Sequence, residues 1–120
     1  MAKNIGIIGS RGRNSIDDFC AIEKALLKIY RLGDTIISGG CPKGADHFAE
    51  MFSTKYDIPI RIICADWETY GFAAGFIRNS DIARESDILI ACVAKNRKGG
   101  TEDTIKKFKI KHPKSKIIIC

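Results

Sequence analysis

A chain of 120 residues is long enough for one domain and too short for two, because single hydrophobic cores usually span roughly 100–150 residues. Hydrophobic residues make up 45% of the chain and charged residues 28%, which excludes a disordered protein and predicts a buried core. No apolar run approaches the roughly 18–20 residues that cross a bilayer. We therefore interpret residues 1–120 as a single domain and expect a cytoplasmic protein without membrane contact.

The formal net charge of +6 is concentrated in one segment of the chain. Between Lys95 and Lys116, basic residues outnumber acidic residues by seven, so the rest of the chain carries a net charge of −1. A basic balance is typical of nucleic-acid binding, but a lysine-rich helix is more often a solvated helix face. Nucleic acid is therefore an alternative partner and not the expected one.

Five β-branched runs alternate with four segments of helical period. In chain order, the pattern predicts a strand at 3–9, a helix at 15–30, a strand at 35–38, a helix at 44–54 and a strand at 59–64. A helix at 73–85, a strand at 88–92, a helix at 101–111 and a strand at 116–120 follow. The first helix should bury an apolar face that begins at Ile16, and Gly33 suits its C-terminal stop. Pro59 is admissible only at the first position of its strand or at an edge.

This alternation of strands and helices predicts an α/β fold. Right-handed crossovers make it a Rossmann-like, doubly wound parallel sheet of five strands in the order 3-2-1-4-5, with helices on both faces. In such sheets ligands bind beyond the carboxyl ends of the strands, where the winding reverses. Here that point lies between the first and fourth strands.

Three loops at this predicted edge combine glycine with a hydroxyl group or a cation. They contain Gly9-Ser10-Arg11, the run from Ser38 to Gly44, and Gly99-Gly100-Thr101. Glycine lets backbone amides approach an oxyanion, and the N-terminus of the following helix adds partial positive charge. The loops therefore predict a phosphate site. They lack the Gly-Lys-Ser/Thr ending of an ATPase loop and the G-x-G-x-x-G pattern of dinucleotide binding.

Taken in order, these motifs resemble the SLOG superfamily, and within it the YspA-related branch often found in bacteria and phages. The residues that carry the resemblance are Ile8-Gly9-Ser10-Arg11, Ser38-Gly39-Gly40, Gly44-Ala45-Asp46, Trp67 with Tyr70-Gly71, Arg78-Asn79 and Gly100-Thr101. The resemblance implies a domain that binds nucleotides or nucleotide-derived metabolites. Its members range from ligand sensors to cytokinin-activating phosphoribohydrolases and DNA-processing proteins.

The candidate ligand site combines the three loops with residues that the resemblance adds. Arg11 could donate two hydrogen bonds to a phosphate. Asp46 either stabilises the first turn of its helix or accepts hydrogen bonds from ribose hydroxyls. Trp67 and Tyr70 either stack on a base or form a lid that packs onto the core. The full set is Gly9, Ser10, Arg11, Ser38, Gly39, Gly40, Lys43, Gly44, Asp46, Trp67, Tyr70, Arg78, Asn79, Gly99, Gly100 and Thr101.

Binding without turnover is the favoured interpretation, with the protein acting as a sensor or a sequestering protein. The phosphoribohydrolase relatives carry a Gly-Thr-x-x-Glu pattern, and Thr104 stands here where the glutamate is expected. Glu102 and Asp103 should point to other sides of the helix. Hydrolysis of a nucleoside monophosphate, with Arg78 as the catalytic residue that the resemblance implies, is the first alternative. A nucleic-acid-binding module is the second.

No cofactor is expected. No metal site is expected either, because the five cysteines form no C-x-x-C pair. Cys41, Cys64, Cys92 and Cys120 fall at predicted strand ends and are interpreted as small buried hydrophobic residues, with a redox or metal role as the alternative. The fifth strand has no helix after it. Its open edge could pair in a homodimer.

Overall fold

Five short strands form one parallel sheet in the order β3-β2-β1-β4-β5, which confirms the predicted Rossmann-like α/β arrangement. The structure is a computed structural model that describes residues 2–120. The strands are β1 Asn4–Gly9, β2 Thr35–Ser38, β3 Ile60–Ile62, β4 Ile88–Cys92 and β5 Ile117–Ile119. The central pair is β1 with β4, in register from Ile5↔Ile88 to Gly9↔Cys92.

Four long helices and one short helix connect the strands. They are α1 Ile16–Ile29, α2 Ala45–Tyr56, α3 Trp67–Tyr70, α4 Ala74–Glu85 and α5 Gly100–Lys111, with a 3₁₀ turn at Gly71–Ala73 between α3 and α4. Ser15 caps α1 by accepting from the Asp18 N–H, and the Asp18 side chain accepts from the Ser15 N–H. None of the helices within residues 2–120 is long and apolar enough to cross a bilayer.

The two faces of the sheet carry separate hydrophobic clusters. Ile5 and Ile7 of β1 pack with buried residues of α1 and α2 on one face. Ile8, which points the other way, packs with α4 and α5 on the opposite face. Gly9 lets α2 approach the end of β1, because a Cβ at Gly9 would lie 2.8 Å from the Ala45 Cβ. The close approach brings the beginning of α2 to the carboxyl edge of the sheet.

Several predicted boundaries need correction. Ile16 is 82% exposed and does not belong to the buried face of α1, whose buried residues begin at Ile22. The helix ends at Ile29 with Tyr30 as its C-cap, and Gly33 lies in the following turn with a φ of +98°. Both edge strands are shorter than predicted, and Pro59 precedes β3 while its carbonyl still accepts from the Ile36 N–H at 2.8 Å.

Candidate functional site

A cleft of about 390 Å³ opens between the carboxyl ends of β1 and β4, where the winding of the sheet reverses. Its volume lies in the range of small-molecule sites, roughly 300–1,000 Å³. Five segments contribute to it: the end and loop of β1, the loop after β2, the first turn of α2, the second and third turns of α4, and the beginning of α5 with the loop before it. The lining residues are Ile8, Gly9, Ser10, Arg11, Cys41, Asp46, Arg78, Asn79, Ile82, Lys98, Gly99, Gly100, Thr101 and Thr104.

The structure brings together more than half of the predicted site residues. Those that line the cleft are Gly9, Ser10, Arg11, Asp46, Arg78, Asn79, Gly99, Gly100 and Thr101. The predicted residues outside the lining are Ser38, Gly39, Gly40, Lys43, Gly44, Trp67 and Tyr70. Two of these lie next to lining residues. The Gly39 carbonyl accepts a hydrogen bond from Arg78, and Gly44 directly precedes the first residue of α2.

The two arginines of the β1 loop have different roles. Arg13 is structural: its Nε donates to Asp18 at 2.7 Å and its Nη1 donates to the Val93 carbonyl at 2.6 Å. These bonds connect the start of α1 to the end of β4. Arg11 is exposed and lines the cleft, and no hydrogen bond joins its side chain to another residue in the described part of the chain. Arg11 is therefore the arginine of this loop that is free to bind a ligand.

Arg78 and Asp46 lie on either side of Gly39. The Arg78 Nη1 donates to the Gly39 carbonyl at 2.9 Å, across 39 positions of sequence. The Asp46 Oδ2 accepts from the Cys41 N–H at 3.1 Å. Burial raises the pKa of Asp46 above its usual value, although the Cys41 N–H and the charge of Arg78 oppose that shift. Asp46 is thus a half-buried carboxyl group that is easier to protonate than an ordinary aspartate.

The N-terminus of α5 forms a second polar wall of the cleft. Gly99, with a φ of +109°, precedes the helix, and it provides no side-chain hydrogen bond to the first turn. The amides of this turn therefore face the cleft without a capping side chain, beside the exposed Lys98. Thr101 and Thr104 are buried in the same wall, where the Thr104 hydroxyl donates to the Gly100 carbonyl at 3.1 Å.

The two carboxylates near this wall are held by other partners. Glu102 forms a two-bond ion pair with Arg97, at 2.8 and 3.1 Å. Asp103 accepts from the Asn79 Nδ2 at 3.1 Å and from the Lys107 Nζ at 2.8 Å. Thr104 lines the cleft, whereas neither Glu102 nor Asp103 does.

Trp67 and Tyr70 form part of α3, a single turn that the sequence pattern did not predict. Asp66 caps this turn by accepting from the Thr69 N–H at 3.1 Å. Trp67 is 57% exposed and Tyr70 is 51% exposed, so neither is buried in the core. The Trp67 ring lies against α4, where a Cβ at Gly75 would be 3.5 Å from its Cη2.

The cysteines differ in burial more than predicted. Cys92 is buried, and burial raises its pKa to about 11, which makes it unreactive. Cys64 is exposed, and both Cys41 and Cys120 are half-buried, so the interpretation of all four strand-end cysteines as buried is confirmed only for Cys92 and is wrong for the other three. No cluster of three or more metal-ligating side chains exists among residues 2–120.

The lining also contains residues that the sequence did not assign to the site: Ile8, Cys41, Ile82, Lys98 and Thr104. Lys98 could have been assigned to the site from the sequence, because it directly precedes the predicted Gly99-Gly100 loop. Thr104 could have been assigned from helical spacing, since it lies three residues after Thr101 on the same face of α5.

Comparisons of this chain with protein-family models, with curated proteins and with solved structures find no match. The chemistry of the cleft is therefore the basis for any functional argument. Its main features are three cationic side chains, one carboxyl group and an uncapped helix N-terminus within residues 2–120.

Proposed function

We propose that this protein binds a nucleotide or a phosphoribosyl metabolite in the cleft, as a sensor or sequestering protein of the SLOG superfamily. The observation that carries the proposal is that three cationic side chains, Arg11, Arg78 and Lys98, line the same cleft as the uncapped first turn of α5. Cationic side chains and free helix amides together favour a phosphate group.

Other residues of the lining are suited to the sugar and the base. The Asp46 carboxyl, the Asn79 amide and the aliphatic side chains of Ile8 and Ile82 line the same cleft. A carboxylate accepts hydrogen bonds from a sugar diol, and the aliphatic side chains can contact the base or the ribose ring. This lining supports a ligand that combines a phosphate group with an uncharged, partly apolar body.

Calorimetric titration with AMP, ribose 5-phosphate, adenosine and inorganic phosphate tests the proposal. We expect AMP or ribose 5-phosphate to bind more tightly than adenosine, because adenosine lacks the group that the cations and amides recognise. Equal affinity for AMP and adenosine would contradict the phosphate site.

Lys98→Ala and Lys95→Ala provide a matched pair for that titration. Both lysines are exposed and belong to the loop between β4 and α5, but only Lys98 lines the cleft. We expect Lys98→Ala to weaken AMP binding by roughly tenfold, the effect of losing one charged hydrogen bond of about 1.5 kcal/mol. Lys95→Ala should leave it nearly unchanged, and equal losses would indicate general electrostatic attraction only.

Hydrolysis of a nucleoside monophosphate is the second candidate function, and Asp46 favours it. Cleavage of the N-glycosidic bond requires a proton for the departing base, and a carboxyl group with a raised pKa is a suitable donor. Incubation with AMP followed by chromatography for free adenine tests this activity. Adenine release that disappears in both Arg78→Ala and Asp46→Asn would establish the enzyme. AMP recovered intact would exclude its hydrolysis, and binding would then be established by the calorimetric titration.

A further inference from the structure

A second groove, which shares no lining residue with the cleft, lies between α1 and the edge strand β5. Its volume is about 520 Å³, and it has an apolar floor with a basic rim. The floor includes Ala21, Ala25 and the three isoleucines of β5, and the rim is formed by Lys24, Lys28 and Lys116. All three lysines are exposed.

The outer edge of β5 offers free backbone groups along this groove. The Leu89 N–H donates to the Lys116 carbonyl at 3.2 Å, and the Cys120 N–H donates to the Ala91 carbonyl at 2.9 Å. Backbone groups alternate in direction along a strand, so the N–H and C=O of Ile117 and Ile119 point away from β4. An added strand would bind to these groups.

The positive charge of the rim indicates which side chains the added strand should have. No carboxylate forms an ion pair with Lys24, Lys28 or Lys116 anywhere in residues 2–120. Lys24 and Lys28 are also four residues apart on α1, where like charges repel and destabilise a helix. Carboxylates from a partner would relieve that repulsion, and alternating apolar side chains would cover the isoleucines.

We propose that this groove binds an acidic, partly apolar segment of another protein, which adds as a further strand along β5. A second copy of this chain is a poorer occupant, because symmetric pairing of two β5 edges would bring the lysines of both copies together. The proposal is independent of the ligand cleft, because the groove and the cleft share no lining residue.

Fluorescence anisotropy with a labelled synthetic peptide of alternating glutamate and valine tests the proposal. A peptide with lysine in place of glutamate is the matched probe. We expect the acidic peptide to bind and the basic peptide not to bind. The triple variant Lys24→Glu, Lys28→Glu, Lys116→Glu should lose roughly tenfold or more in affinity for the acidic peptide, because three ion pairs become repulsive.

Two controls separate strand addition from general attraction. The variant Lys106→Glu, Lys109→Glu, Lys111→Glu changes the net charge equally on the exposed face of α5 and should retain the affinity. Ile119→Pro removes an outward N–H without removing a bond to β4 and should abolish binding, whereas Ile119→Ala keeps that N–H and should preserve most of it. Circular dichroism confirms that each variant is folded.

Three results would overturn the proposal. They are equal loss in the two triple variants, unchanged binding in Ile119→Pro, and absence of binding by the wild-type protein. A wild-type dimer in sedimentation that dissociates in Ile119→Pro would assign the edge to a second copy instead.

Discussion

Gly39 has no side chain, and this leaves room for the Arg78 guanidinium and the Asp46 carboxyl group beside it. A Cβ at this position would lie 2.9 Å from the Arg78 Nη1 and 2.9 Å from the Asp46 Oδ2, closer than real contacts allow. Arg78 is the more movable neighbour, because its guanidinium is the end of a flexible side chain. The carbonyl of the same residue accepts the hydrogen bond that orients Arg78.

Gly39→Ala should therefore weaken ligand binding while the fold persists. We expect roughly a tenfold loss of AMP affinity in calorimetry, which corresponds to one displaced charged hydrogen bond. Gly75→Ala is the control, because its added Cβ would make an ordinary 3.5 Å contact with Trp67. That variant should keep its AMP affinity, and a similar loss in both would contradict the role of Gly39.

Ser86 is a different case, in which a polar group lies in the core without a partner. Its hydroxyl is buried and has no hydrogen bond, and Gly6 of β1 has no room for a Cβ beside it. Ser86→Ala should raise the free energy of unfolding by about 1 kcal/mol, because an unsatisfied buried hydroxyl is removed. Urea denaturation measures the change, and Ser80→Ala, which removes a bonded hydroxyl on the surface of α4, should not stabilise the protein.

At the scale of elements, a buried carboxylate joins the beginning of β1 to the turn before β2. Asp34 is fully buried and accepts from the backbone N–H groups of Lys3 and Arg31, both at 2.9 Å, and from the Lys3 ammonium. Burial alone would raise the pKa of Asp34, but these hydrogen bonds together lower it below the ordinary 3.8.

The lowered pKa of Asp34 predicts a specific dependence of stability on pH. Since the unfolded chain holds the proton more tightly, the stabilisation is complete above about pH 3.8 and is lost as the pH falls through the lower folded-state pKa. Asp34→Asn should cost about 1–3 kcal/mol at pH 7, because three partly buried donors lose a charged acceptor. Urea denaturation from pH 7 to pH 3 should show this difference shrink below pH 3.8; a constant difference would contradict it.

The helices and strands were predictable where the residues of the element itself indicate its type and its ends. Strands β2 and β4 match their predicted bounds, because β2 lies between Asp34 and Gly39 and β4 is an apolar run that begins directly after Asp87. The turn α3 was missed since four residues carry no apolar period, only the Asp66 cap. The edge strands were predicted too long because each pairs on one side only.

The candidate site was predictable in its loops and less so in its contacts. Glycine and charge patterns located the β1 and α5 loops, which the cleft includes. The bond from Arg78 to Gly39 and the bond from Asn79 to Asp103 depend on how α4 packs against the sheet and α5. No local pattern encodes such contacts, so residues were assigned to the correct edge without their partners.

At the scale of the whole molecule, much of the excess positive charge lies along α5, the helix whose N-terminus lines the cleft. Lys106, Lys109 and Lys111 are exposed, whereas Lys107 is bound to Asp103 and to the Phe76 carbonyl. Exposed charges of this kind attract an anion over a distance of roughly 10 Å at 0.1 M salt without contacting it. The net charge of +6 should therefore act on the rate of association with a phosphorylated ligand.

Stopped-flow measurement of AMP binding at increasing salt tests this role of the charge. We expect the association rate to fall as the ionic strength rises and the dissociation rate to change less, because the lysines do not touch the bound ligand. The variant Lys106→Gln, Lys109→Gln, Lys111→Gln should associate more slowly, with a weaker salt dependence and an unchanged dissociation rate. An association rate independent of salt would contradict electrostatic attraction. If the wild-type protein bound generic duplex DNA in a salt-sensitive way and the same variant did not, this face would instead be assigned to nucleic acid.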